Sequence, residues 1–296
     1  MHKSTIGTSI LLFFVSGALA ADIRPQLVVP DSAHAQIIKF QDGTTSRGRI
    51  IRVDSAAVAF RTDFGEMTVA IDKIEEVRTI PVAAIRDGKY WFPNPNATRL
   101  FFGPTGRMLK QGKGYFSDYY VFFPALTYGI TDNVTLGGGM SLFPGLGFGR
   151  QIYYLTPKAG FSPSPALHLA AGALMVSFPW FDDDDAGRRS TSAGIVYGVG
   201  TYGTDDNSFT AGLGYGYAGG EMADQPMVML GGEYRLSRRT AFVTENWLFP
   251  GVDQPVVSAG IRFFGEGMCC DLALINVIGE GAIAPGIPYA DFVINF

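Results

Sequence analysis

Lys113 to Phe143 reads KGYFSDYYVFFPALTYGITDNVTLGGGMSLF, and the way this stretch distributes its side chains decides the fold. Two long segments rich in aromatic and β-branched residues flank Thr131-Asp132-Asn133, a short polar cluster of the kind that makes a tight hairpin turn. With a period of two, one side of the first segment carries Phe116, Asp118, Tyr120, Phe122, Pro124, Leu126, Tyr128 and Ile130. The other side carries Tyr115, Ser117, Tyr119, Val121, Phe123, Ala125, Thr127 and Gly129. The second segment repeats the contrast, with Val134, Leu136, Met140 and Leu142 on one face and Thr135, Gly137, Gly139 and Ser141 on the other. A soluble sheet would bury the apolar side against a second layer. A transmembrane barrel turns it to lipid and keeps small and polar residues inside.

Composition bears on that choice. The 296 residues are 17% charged and include 38 Gly, 23 Phe and 13 Tyr, so charge is low while glycine and aromatics are high for a soluble chain. After the N-terminus no apolar run is long enough for a helical membrane span. The net charge of −4 is dispersed with no basic block, which argues against nucleic acid as a partner.

The N-terminus has the layout of a secretory signal peptide, expected over residues 1–20. Met1-His2-Lys3 supplies the positive start, Ile6 to Val15 the apolar run, and Ala18-Leu19-Ala20 the small-residue cleavage site. No Cys follows that site, so a lipoprotein anchor is not expected. Cys269 and Cys270 are adjacent; on a strand they would point to opposite faces and so are poorly placed to bond each other.

Residues 21–35 read as a linker. Residues 36–80 form a separate small β-domain, with short strands punctuated by Gln41-Asp42-Gly43, Val53-Asp54-Ser55 and Asp63-Phe64-Gly65. This order of strand, Asp-Gly turn, a glycine at 48 and further short hairpins resembles the SH3-like or Sm-like small barrels. Lys39, Arg47, Arg49, Arg52, Arg61, Lys73 and Arg78 balance Asp42, Asp54, Asp63, Glu66, Asp72, Glu75 and Glu76. A balanced surface points to a docking or spacer role with a periplasmic partner, not to RNA binding. A second linker, 81–97, contains Tyr90-Trp91-Phe92-Pro93-Asn94-Pro95; such aromatics fit an interfacial belt, the alternative being a hydrophobic plug packed on the small domain.

From Thr98 to Phe296 the chain reads as twelve amphipathic strands, at 98–103, 114–130, 133–144, 151–161, 166–177, 192–203, 207–218, 227–236, 239–249, 256–265, 268–277 and 288–296. Their connections alternate in length: those near Thr131, Ser162, Thr204, Ser237 and Glu266 are short, and 104–113, 145–150, 178–191, 219–226, 250–255 and 278–287 are longer. Short periplasmic turns and longer outer loops are the asymmetry of a membrane barrel. The last strand alternates Phe292, Ile294 and Phe296 against Asp291 and Asn295 and ends on an aromatic. It resembles the C-terminal signal read by the outer-membrane barrel-assembly machinery, and residues 98–296 together resemble bacterial outer-membrane β-barrel proteins. The fold class expected is therefore all-β, a twelve-stranded antiparallel transmembrane barrel preceded by the small periplasmic domain. Lipid, lipopolysaccharide and the assembly machinery are the partners that this resemblance implies.

With the apolar side toward lipid, the lumen should receive Lys158, His168, Glu233, Arg235, Arg262, Asp271 and Asp291, and a tight turn at Glu266-Gly267 sets Arg262 opposite Asp271. These residues could form a charged constriction that selects solutes, or a structural network that fills and rigidifies the barrel. Glu245 stays ambiguous as to face. Asp182 to Asp185, with Arg188 and Arg189, make an acidic loop without the spaced ligand pattern of a calcium site. His168 is followed by Leu169-Ala170, so the His-any-Ser pattern of the outer-membrane phospholipases is missing, and Gly-rich runs such as Gly137 to Gly139 precede no helix. No enzymatic activity, cofactor or metal is expected. The leading function is a narrow passive channel for small solutes; the other is a closed structural or binding barrel that docks envelope partners through residues 36–80.

Overall fold

A computed structural model describes residues 23–178, 191–279 and 281–296. The chain divides into two compact units between Trp91 and Phe92. The expected signal peptide and the acidic run at Asp182 to Asp185 lie outside the described residues.

The first unit is a five-stranded antiparallel sheet. Its strands are β1 (His34–Phe40), β2 (Thr45–Val53), β3 (Ala57–Thr62), β4 (Gly65–Ala70) and β5 (Ile74–Pro81), in the order β4-β3-β2-β1-β5. Alternating apolar positions on these strands converge on a core of Ile38, Ile50, Val58, Phe60, Val69, Ile74 and Val77. Gly48 is required where β2 crosses β3, because a Cβ there would lie 2.2 Å from the carbonyl oxygen of Arg61. The flanks expected to be linkers join this unit. Leu27 packs into its core and the Val28 carbonyl accepts from Gln36 Nε2, while residues 85–90 form a two-residue ladder, β6 (Ile85–Arg86) against β7 (Lys89–Tyr90).

The second unit is a closed barrel of twelve antiparallel strands. These are β8 (Gly114–Tyr119), β9 (Phe123–Thr131), β10 (Val134–Met140), β11 (Tyr153–Ser164), β12 (Leu167–Phe178), β13 (Thr191–Gly203) and β14 (Asn207–Ala218), then, after the two-residue β15 (Glu221–Met222), β16 (Met227–Ser237), β17 (Thr240–Leu248), β18 (Val256–Phe264), β19 (Met268–Val277) and β20 (Ile287–Asn295). Each wall strand pairs with the next, and β20 closes on β8, Asn295 opposite Tyr115 and Asp291 opposite Tyr119. Among the described residues no helix is long and apolar enough to cross a membrane.

The number of strands matches expectation, but by two compensating errors. Residues 98–103 are not a wall strand; they lie inside the barrel. The segment 114–130, read as one strand, is two, joined at Tyr120-Val121 by a turn whose two central residues have φ of +54° and +67° and whose Phe122 N–H donates to the Tyr119 carbonyl at 3.1 Å. Mirror-image hairpin turns normally use Asn or Gly at such positions, so Tyr-Val gave no signal. Residues 104–113 are consequently not an outer loop: they lead out of the barrel interior to the start of β8, at the short-turn end.

The asymmetry of the connections holds with this one relocation. Residues 132–133, 165–166, 204–206, 238–239 and 265–267 join strands at one end, and 141–152, 219–226, 249–255 and 278–286 at the other, which also carries the tight 120–122 turn. β8 begins and β20 finishes at the short-turn end, as an even strand number requires.

Candidate functional site: the barrel lumen

Register alone sorts the wall residues into two faces, and the charges fall almost entirely on one. Of the charged side chains on the twelve strands, Lys158, Glu233, Arg235, Glu245, Arg262, Asp271 and Asp291 share the inner face, and Asp118 alone is on the outer, capping the Phe123 N–H at the 120–122 turn. The outer face is apolar, with Leu126, Leu136, Leu155, Leu213, Leu230 and Leu272 each at least 40% exposed. Near the short turns it carries a ring of exposed aromatics, Tyr128, Phe161, Tyr202, Phe209, Tyr234, Phe242 and Phe263, in which Tyr202 stands opposite Phe209 and Tyr234 opposite Phe242. Of the aromatics expected to form a belt at Tyr90 to Phe92, Phe92 is instead buried inside against Phe264, ring centroids 6.0 Å apart.

The inner face grips residues 92–107. This segment folds back on itself, the Leu100 N–H donating to Gly103 O at 2.8 Å and the Thr105 N–H to Thr98 O at 3.0 Å. A sequence cue was present: Leu100, Phe101 and Phe102 run apolar without alternation, which suits burial on every side better than a two-faced wall strand. Leu100 and Phe101 are at most 1% exposed. Gly106 comes so close to the wall that a Cβ would lie 2.2 Å from the His168 carbonyl oxygen.

Three wall side chains each make two or more hydrogen bonds to the backbone of this segment. Glu245 Oε2 accepts the successive N–H groups of Phe101, Phe102 and Gly103 at 2.8, 3.0 and 2.9 Å, an anion seated in a nest of amides, while its Oε1 accepts from Trp247 Nε1 at 2.7 Å. Lys158 Nζ does the converse, donating to the carbonyls of Thr98, Thr105 and Arg107 at 3.1, 3.3 and 2.8 Å. Arg262, fully buried, donates to the carbonyls of Asn96 and Leu100 at 3.0 and 2.7 Å. Its remaining donors meet Asp271, through Nε to Oδ1 at 2.8 Å and Nη2 to Oδ2 at 2.7 Å, and Glu233 Oε2 at 3.0 Å. A buried charge is tolerated only when paired and hydrogen-bonded, and here the wall and the inserted segment complete one another.

The remaining lumen groups follow the same rule. Asn94 Nδ2 donates to Glu233 Oε2 at 2.6 Å and Arg235 Nη1 to the Phe92 carbonyl at 2.9 Å. Arg99 pairs with Asp291 at 2.5 Å and lies 4.7 Å over the Tyr119 ring. Tyr289 and Asn295 of β20 reach the carbonyls of Phe101 and Pro95 at 3.0 and 2.9 Å. All seven residues expected in the lumen thus lie on the inner face. Lys158, Glu233, Arg235, Arg262 and Asp271 belong to one network around residues 92–107. His168 stands apart at the short-turn end with Nδ1 2.7 Å from Ser162 Oγ, and among the described residues no carboxylate is hydrogen-bonded to its ring. Glu245, ambiguous in sequence, faces inward, and Arg99 was not foreseen. On β20 Phe292 packs 5.8 Å from Phe116 on the outer face, where Ile294 and Phe296 are exposed. Cys269 is buried and Cys270 exposed, on opposite faces.

Beyond the inserted segment, toward the longer connections, the described residues leave the lumen unfilled. A cavity of about 400 Å³ extends from Phe102, Gly103 and Pro104 to Phe249 and Val256 at the far strand ends.

No protein-family model matches the sequence, and a search of curated proteins finds no match. Solved structures similar to the chain include OmpTdeltaL8, a loop L8 deletion mutant of OmpT, an outer membrane protein of Vibrio cholerae, at 11% identity and TM-score 0.36, covering 89% of this chain and 97% of that one. Others are Salmonella typhi OmpF in complex with daunomycin, at 9% identity and TM-score 0.33, covering 89% and 96%, and the Ralstonia pickettii toluene transporter TbuX, at 10% and 0.31, covering 88% and 86%. Scores at this level add nothing to what the strand ladders already define.

Proposed function

We propose that the chain is an outer-membrane β-barrel that residues 92–107 close to free diffusion, so that it works as a binding barrel at rest. An apolar exterior with an aromatic ring, charges confined to the interior and short turns at the end where the barrel starts and finishes all support membrane insertion. By the usual asymmetry the short turns face the periplasm, with the 34–81 sheet on that side as an SH3- or Sm-like docking module and the Phe292, Ile294, Phe296 face offered to the assembly machinery. The observation that carries the closed reading is that Glu245, Lys158 and Arg262 spend their hydrogen bonds on the backbone of the inserted segment and on other wall side chains. A constriction that selects solutes needs such charges free to meet them. A narrow channel would require residues 92–107 to leave the lumen.

Planar-bilayer recording tests this. The native protein should be electrically silent, and Glu245→Ala, which releases three amides, should give stepwise conductance. Steady conductance from the native protein would overturn the closed reading in favour of the narrow channel.

A further inference from the structure

The cavity above the inserted segment is unassigned by anything derived so far, and its chemistry is selective. Its volume, about 400 Å³, lies within the range of small-molecule sites, roughly 300–1,000 Å³. Its floor is Phe102, held by a stacked contact to Tyr119 at 5.8 Å and an edge contact to Tyr289 at 4.7 Å. Its walls include Leu174, Ile195, Met229 and Trp247, the last stacked on Phe249 at 5.7 Å. Such a lining offers dispersion contacts and aromatic faces to a flat apolar molecule.

The charged groups that touch the cavity are already committed. Arg99 is paired with Asp291, Lys158 is surrounded by three carbonyls, and Glu245 accepts four N–H groups. An ionic ligand would therefore lose its hydration without gaining a counter-charge. Two lining residues keep a polar atom without a hydrogen-bond partner: Arg99 at Nε, and Thr135, 2% exposed, at its hydroxyl. Buried hydroxyls are nearly always satisfied, so an unpaired one on a residue of the lining marks a place for a ligand's polar atom.

We propose that the upper lumen binds a neutral, largely apolar small molecule with an aromatic ring and a single hydroxyl or carbonyl, entering from the long-connection end and resting on Phe102. This rests on the closed-barrel reading, since the inserted segment is the floor.

The probe is 2-naphthol, dialysed to equilibrium against the full-length mature protein in lipid nanodiscs, with empty nanodiscs subtracted for partitioning. Saturable binding of one molecule per chain is expected, and none for naphthalene-2-sulfonate, which shares the ring but is charged. Gly212→Leu should weaken 2-naphthol binding at least tenfold by filling the cavity. A Cβ at Gly212 meets its nearest atoms at 3.5 Å, ordinary contact, so the barrel should still fold, as heat-modifiable migration on a gel would report. Thr135→Val should weaken 2-naphthol several-fold and leave naphthalene unchanged. No saturable 2-naphthol binding, binding unaffected by Gly212→Leu, or preference for the sulfonate would each overturn the proposal. Bilayer conductance separates the two readings: a silent barrel that ignores 2-naphthol loses only the ligand, whereas a conducting native barrel loses the floor.

Discussion

The two units obey opposite burial rules within one chain. In the 34–81 sheet Ile38, Ile50, Val58 and Phe60 are fully buried, and ion pairs such as Lys39–Glu75 and Arg61–Glu66 sit on the surface. In the barrel Arg262 and Asp271 are fully buried, and leucines and phenylalanines cover the outside. Both use the same period-two alternation, so the difference does not come from strand chemistry. On the proposed reading it comes from the solvent each outer face is built to meet, water for the first and hydrocarbon for the second.

The contrast can be attacked from either side. Phe60→Ala removes the aromatic centre of the small core and should destabilise that sheet by about 3–5 kcal/mol. In the full-length protein, hydrogen exchange over residues 34–81 should speed up while the barrel keeps its heat-modifiable migration; loss of both together would show that the units do not follow separate rules. Arg262→Ala strands Asp271 and Glu233 and frees two carbonyls of the inserted segment, at a cost of about 3–5 kcal/mol. Urea unfolding of the barrel in micelles reads this, and a loss below about 1 kcal/mol would mean that the network is not buried as drawn.

Leu272→Arg, midway along β19 on the outer face, should cost about 2–4 kcal/mol if that face meets lipid. A variant that instead stays folded and soluble without detergent would break the comparison, because it would make the exterior an aqueous surface. The smallest effect belongs to the water side: Lys39→Ala removes one half-exposed partner of Glu75 and should change stability by less than about 1 kcal/mol in the same hydrogen-exchange measurement. A larger value would indicate that this pair is shielded from solvent.

Much of the site was legible because register is arithmetic. Once the barrel is assumed, parity along each strand places Lys158, Glu233, Arg235, Arg262 and Asp271 inside, and the Glu266-Gly267 turn sets Arg262 against Asp271. Parity also hid one mistake. Three residues, 120–122, separate β8 from β9, and an odd insertion keeps Tyr119 and Phe123 on the same face, so two strands scan as one unbroken alternation. Their reversal depends on left-handed backbone at Tyr120 and Val121, which neither residue type advertises.

What the amino-acid order determined by itself is the inside and outside of the wall: alternation needs only neighbours two apart, and every strand carries its own copy of it. What fills the wall was decided only in three dimensions. Glu245, Lys158 and Arg262 lie on three different strands, and Phe101 to Gly103 lie more than a hundred residues from Glu245 in the chain. Backbone amides and carbonyls, which every residue possesses, are what these charges seek. A partner common to all residues leaves no mark in sequence, so the closing of the lumen could be read only once the strands had brought the charges around it.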